Sequence, residues 1–215
     1  MPFRFLAALY GAVLLATPAL ATECPMGVFR AAAGPDTASM IEIMPNGRFR
    51  YGMSEGAMDE QAEGRWTCEG GTLKLTTEPT PKPAAFTLDK VTDGEEAPFT
   101  LIVTWPDGRG VALVDFRLDF DGVEPVMGYT QQDGWSRDLD GHMPKAVQLA
   151  EPFYQTISPV FPIPLRKNIK VHVVLTPNDM GTADFRDVIV TKEDDRILLH
   201  WRGRAIPYVR VEKEK

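Results

Sequence analysis

Apolar and polar residues alternate with a period of two along most of this chain, and glycine, proline, asparagine and aspartate cut the runs at short intervals. Successive side chains of a strand point to opposite faces, so this pattern buries one face of a sheet and wets the other. A helix would need apolar residues three and four apart. Helical periodicity is almost absent. The pattern predicts an all-β chain.

Ser39 to Met44 and Arg48 to Met53 flank Pro45-Asn46-Gly47, which reads as a β-hairpin. Phe49 and Tyr51 then share one face, and Arg48 and Arg50 the other. Arg65 to Cys68 and Thr72 to Thr76 flank Glu69-Gly70-Gly71, a second hairpin, with Trp66 and Cys68 on one face. Between the two hairpins, Glu55 to Glu63 has room for one or two helical turns at most.

Glu78-Pro79-Thr80-Pro81-Lys82-Pro83 breaks the alternation, because three prolines at alternate positions cannot pair in a sheet and favour an extended connector. The expected boundaries are an N-terminal antiparallel module over 22–80, a β-sandwich over 85–176 and a C-terminal β segment over 177–215. Strands are expected at Ala85 to Val91, Phe99 to Trp105, Val111 to Phe120, Val126 to Thr130, Val147 to Leu149 and Ile169 to Thr176. Further strands follow at Phe185 to Thr191, Ile197 to Trp201 and Ile206 to Val211, whereas Glu151 to Pro164, with its prolines and aromatics, should be irregular yet packed. Gly71 to Leu75, leading through prolines to Ala85-Phe86, is echoed by Asp195 to Leu199, leading through Pro207 to Tyr208. If the two are equivalent, both ends of the chain belong to one sheet system, a small barrel-like module into which the sandwich is inserted.

The segment Val103-Thr104-Trp105-Pro106-Asp107-Gly108-Arg109-Gly110-Val111-Ala112-Leu113-Val114-Asp115-Phe116-Arg117-Leu118 resembles the opening of a carboxypeptidase regulatory-like module. Thr130-Gln131-Gln132-Asp133-Gly134-Trp135 fits that family's second mark, and Ile169 to Leu175 its closing strand. The resemblance spans roughly 85 to 176 and departs from the family at Glu151 to Pro164. It implies a transthyretin-like or Ig-like β-sandwich of accessory character, with no catalytic residues to carry over. Gly64-Arg65-Trp66 followed by a hairpin resembles lipocalin-like small barrels, and in nothing more specific.

The first 21 residues read as a secretory signal peptide, with Arg4, an apolar run from Phe5 to Ala16, and small residues at Ala19 and Ala21. The expected address is periplasmic or secreted. The residues before Cys24 are not those of a lipoprotein signal, and no later apolar run reaches the length of a spanning helix, so no membrane insertion is expected. The whole chain carries a formal charge of −7 with no Lys/Arg cluster, which argues against nucleic acid as a partner. Cys24 and Cys68 are the only cysteines, and two thiols in an exported chain favour one disulfide between them. Closing a loop of about 45 residues removes unfolded-state entropy worth roughly 4 kcal/mol on the chain-entropy model.

Few residues suggest chemistry. Gly52-Met53-Ser54-Glu55-Gly56 matches the G-x-S-x-G pattern, but a nucleophile elbow needs a strand-to-helix turn above a parallel sheet, and no βαβ alternation follows. His142, His172 and His200 lack ligand spacing, and Asp119-Phe120-Asp121-Gly122 and Asp138-Leu139-Asp140-Gly141 lack the Glu that completes a calcium loop. No metal site and no cofactor are expected. The turn-borne aromatics Trp105, Tyr129, Trp135, Phe153 and Tyr154 are the candidate binding residues, as a platform for sugars or peptides. The same rings can instead plug the ends of the core. The leading expectation is a non-catalytic exported accessory or binding protein whose ligand is a protein, a peptide or a carbohydrate. The alternative is a small secreted hydrolase or an enzyme inhibitor, and an acid within reach of one of the histidines or of Ser54 would favour the hydrolase.

Overall fold

A computed structural model describes residues 23–31, 34–94, 98–166 and 168–212; the expected signal peptide lies outside them. The described residues form seventeen strands and no helix. The first five are β1 (Gly27–Ala31), β2 (Thr37–Ile43), β3 (Arg48–Glu55), β4 (Met58–Glu69) and β5 (Thr72–Thr77). The middle of the chain gives β6 (Ala85–Asp93), β7 (Phe99–Thr104), β8 (Asp115–Asp119), β9 (Val126–Tyr129) and β10 (Trp135–Arg137). It continues with β11 (Ala146–Glu151), β12 (Thr156–Ile157), β13 (Phe161–Pro162) and β14 (Ile169–Thr176). The last three are β15 (Val188–Glu193), β16 (Arg196–Trp201) and β17 (Arg204–Arg210).

Strands β1 to β5 and β15 to β17 close into an eight-stranded barrel in which each strand is antiparallel to its neighbours. Chain order is kept around the ring, so it is an up-and-down barrel opened only between β5 and β15, where β6 to β14 are inserted. Alternation explains the closure: Ile41 and Ile43, Phe49 and Tyr51, Leu73 and Leu75, and Ile197 and Leu199 all turn inward. The interior is filled by side chains, as small barrels generally are. Cys24 and Cys68 are joined by a disulfide that ties the start of the described chain to β4.

The insert forms two sheets around one apolar cluster, in a sandwich-like arrangement. One sheet runs β10-β7-β14-β6, with β7 and β14 parallel; the other runs β9-β8-β11, with β12 and β13 both pairing with β11. Val114, Phe116 and Leu118 face the cluster while Asp115 and Arg117 are wetted, which is the alternation expected of a half-buried strand. The Phe116 ring lies over Gly128 on the neighbouring strand, where an added Cβ would come within 2.8 Å of it.

Three local expectations are overturned. Glu55 to Glu63 holds no helical turn: the chain reverses at Gly56, with φ of +59°, and enters β4, where Glu60, Ala62 and Gly64 continue the inward alternation. Val111 to Val114 is not strand, because Leu113 takes φ of +61° and the segment folds against Thr130. Phe185 to Asp187 precedes β15 as connector. Phe185 itself caps the barrel interior, against Phe49 at 5.8 Å, Tyr51 at 5.0 Å and Trp201 at 4.7 Å.

Thr77 fastens this cap. Its hydroxyl donates to the Ala183 carbonyl at 2.7 Å and accepts from the Phe185 amide at 3.0 Å. The outgoing and returning connectors are also clamped together, by Lys82 N–H to Asp179 at 2.7 Å and Asn178 to the Pro83 carbonyl at 2.9 Å. Beyond β5, residues 181–183 take over pairing with Gln61 on β4 and continue the barrel wall toward the sandwich.

Candidate functional site

The five aromatics do not form one platform. Trp105 and Trp135 pack against the sandwich core, Trp135 with its ring 4.7 Å from Phe116 and 6.2 Å from Phe99. Tyr129 and Phe153 stand at the surface, 51% and 39% exposed. Tyr154 alone reaches the barrel. Its hydroxyl donates to the Asp59 carbonyl at 3.4 Å, and Gly181 lets it approach, since an added Cβ there would lie 3.1 Å from that carbonyl and 3.7 Å from the Tyr154 ring.

Tyr154 forms one wall of a groove of about 680 Å³ between the outer face of the barrel and the sandwich. Strand register builds its floor. Arg30, Met40, Gly52 and Gln61 are successive cross-strand partners on β1 to β4, and Ala38, Ser54 and Asp59 make the next row. Gly52 in the first row and Ser54 in the second leave a trough beside the half-exposed Met40, and nothing lies within 4 Å of where a Gly52 Cβ would stand. The Ser54 hydroxyl donates to Asp59 Oδ1 at 2.6 Å, so the G-x-S-x-G serine has a carboxylate partner rather than an imidazole.

Behind this floor, the barrel interior carries a polar cluster that the sequence reading missed. Glu60 is buried and takes a hydrogen bond from Arg202, which lies over the Trp201 ring at 5.4 Å. Among the described residues, Glu60 Oε2 and Trp201 Nε1 have no hydrogen-bond partner. The Ser39 and Tyr208 hydroxyls are 2.7 Å apart, and Ser39 donates to the Gly52 carbonyl at 3.0 Å. Burial pushes the Tyr51 and Tyr208 phenols above the usual tyrosine range, and for Tyr51 the nearby Tyr208 and Glu60 add to it. An acid at an inward-pointing position of β4 is the signal that marks this cluster in the sequence.

The histidines lie apart. His142 sits in an exposed turn, and His200 Nε2 is 3.0 Å from Thr191 Oγ1 on the barrel. His172 is different. Its Nδ1 is 2.8 Å from Asp89 Oδ2 and its Nε2 is 3.0 Å from Thr104 Oγ1, an acid–imidazole–hydroxyl chain across β6, β14 and β7. The β6–β14 ladder shifts at this point and leaves Asp89 without a cross-strand partner, which is how an acid comes beside the ring. Thr104 is only 8% exposed, and neither it nor His172 lines the groove beside Tyr154. The chain therefore has the order of a catalytic triad without an accessible nucleophile.

Among the described residues, no group of three or more His, Cys, Asp or Glu is placed to hold a metal ion, and no helix is long and apolar enough to cross a membrane. Comparison of the chain with protein-family models, with curated proteins and with solved structures finds no match.

Proposed function

We propose that this chain is a non-catalytic, exported binding protein of the periplasm or extracellular space, and that its ligand sits in the groove between barrel and sandwich. One observation carries the proposal: the insert delivers Tyr154 onto a barrel wall whose centre is emptied by Gly52. A concave seat with one aromatic wall and a few convergent polar groups is the usual form of a small-ligand site. The disulfide suits an oxidising compartment. The reading of residues 85–176 as a carboxypeptidase regulatory-like accessory module, with a transthyretin-like or Ig-like topology, belongs to the same proposal.

The Asp89–His172–Thr104 chain, and the Asp59 carboxylate within reach of Ser54, favour a second reading, a small hydrolase. The two are separated by incubating the purified protein with panels of short peptides, esters and oligosaccharides and following both binding and mass change. A ligand that binds and is recovered intact supports the binding protein. Turnover that is lost in Thr104→Val, His172→Gln or Ser54→Ala overturns it in favour of the hydrolase.

A further inference from the structure

We infer that the groove takes an uncharged glycan chain, an inference that rests on the groove being the ligand seat. The floor is unsuited to two common ways of holding a peptide. It is the wall of a closed barrel, so it offers no strand edge to extend; it has one arginine rather than a cluster, and its apolar residues, Ala38, Met40, Met53 and Met180, are interspersed with Arg30, Ser54, Asp59 and Gln61. What it does offer is a hydroxyl, an amide, a carboxylate and a guanidinium, on Ser54, Gln61, Asp59 and Arg30, around a shallow trough. Ser54 and Gln61 both donate and accept, Arg30 donates and Asp59 accepts, which together match a sugar hydroxyl that does both. Arg30 and Asp59 carry opposite charges, and the third charged lining residue, Glu60, is paired with Arg202 behind the floor, so the rim has no net preference for an ion. The Tyr154 ring supplies an apolar face against which the C–H face of a pyranose can stack.

The test is calorimetric titration of the purified protein with uncharged tri- to hexasaccharides and, separately, with end-capped neutral peptides of similar length. The expected result is saccharide binding whose affinity changes little between low and high salt. It should weaken by about tenfold or more in Tyr154→Ala and by less than about threefold in Tyr154→Phe, which keeps the ring. Circular dichroism and thermal midpoints of both variants separate loss of the ring from loss of the fold. Peptide binding that Gly52→Trp abolishes, with no saccharide binding, overturns the glycan inference and leaves the seat in place. Saccharide or peptide binding that Gly52→Trp does not touch overturns both, as does the absence of binding by either panel.

Discussion

The Tyr154 hydroxyl meets the Asp59 carbonyl at 3.4 Å, joining a turn of the inserted sandwich to the barrel strand β4 across 95 residues of sequence. Gly181 makes the approach possible, with φ of +85° and no side chain to fill the gap. Gly181→Ala should therefore cost about 1–2 kcal/mol from the left-handed backbone alone. It should also loosen the junction, read as faster amide exchange in residues 151–155. Denaturant unfolding and exchange measured together check both halves.

The Glu60–Arg202 pair is half inside the barrel, the Glu60 side chain 3% exposed and that of Arg202 34%. Arg202→Met keeps the stem and removes the charge. It should destabilise the barrel by about 3 kcal/mol, the lower end of what breaking a buried pair costs, because Arg202 is partly solvated. Pairing it with Glu60→Met should recover most of that loss. A double variant as unstable as the single one would show that the charge is not the cause.

Alternation along β8 sets a contrast between neighbours. Phe116 is buried against Trp135 and over Gly128, while Arg117 is half exposed and paired with Asp119 at 2.8 Å. Phe116→Ala should cost about 3–5 kcal/mol through lost transfer energy and a cavity. Arg117→Ala should cost under about 1 kcal/mol. Denaturant midpoints of the two variants decide it, and equal midpoints would contradict the assignment.

Where side chains alternate strictly, the sequence was easy to read. Phe49 and Tyr51, Trp66 and Cys68, and Phe116 and Leu118 face inward as their parity requires, and the Asn-Gly and Gly-Gly turns close the hairpins between them. Met58 to Glu63 was harder, because Asp, Glu, Gln and Ala have low strand propensity and tertiary pairing on both sides overrides it. Phe185 looked like the start of a strand, and only the return path of the chain makes it a cap. The groove was half legible: Tyr154 was among the candidate aromatics, but the trough beneath it depends on Gly52 and Gln61 coming into register. Asp89 beside His172 depends on a ladder shift that no local pattern announces.

Tyr51 and Tyr208 give the barrel a pH dependence at the alkaline end. Burial raises both phenol pKa values above those of the unfolded chain, so at neutral pH both are protonated in either state and their contribution is intact. Above about pH 10 the unfolded chain loses these protons while the folded barrel holds them, so stability falls as pH rises. For Tyr51 the slope should approach about 1.4 kcal/mol per pH unit, and Tyr208 should add to it in the same direction. Tyr51→Phe and Tyr208→Phe should each flatten it in chemical denaturation between pH 9 and 11, and an unchanged slope in both would contradict the burial account.

The groove as ligand seat is tested most directly at Gly52, whose Cβ position faces open space and whose side chain would fill the trough without touching the core. Gly52→Trp should keep the fold, with a stability change within about 1 kcal/mol because aromatic residues suit strands. Calorimetric titration of this variant, with whichever saccharide or peptide binds the parent protein, should show binding reduced below detection. Full-strength binding by a folded Gly52→Trp protein would place the ligand elsewhere and contradict the account.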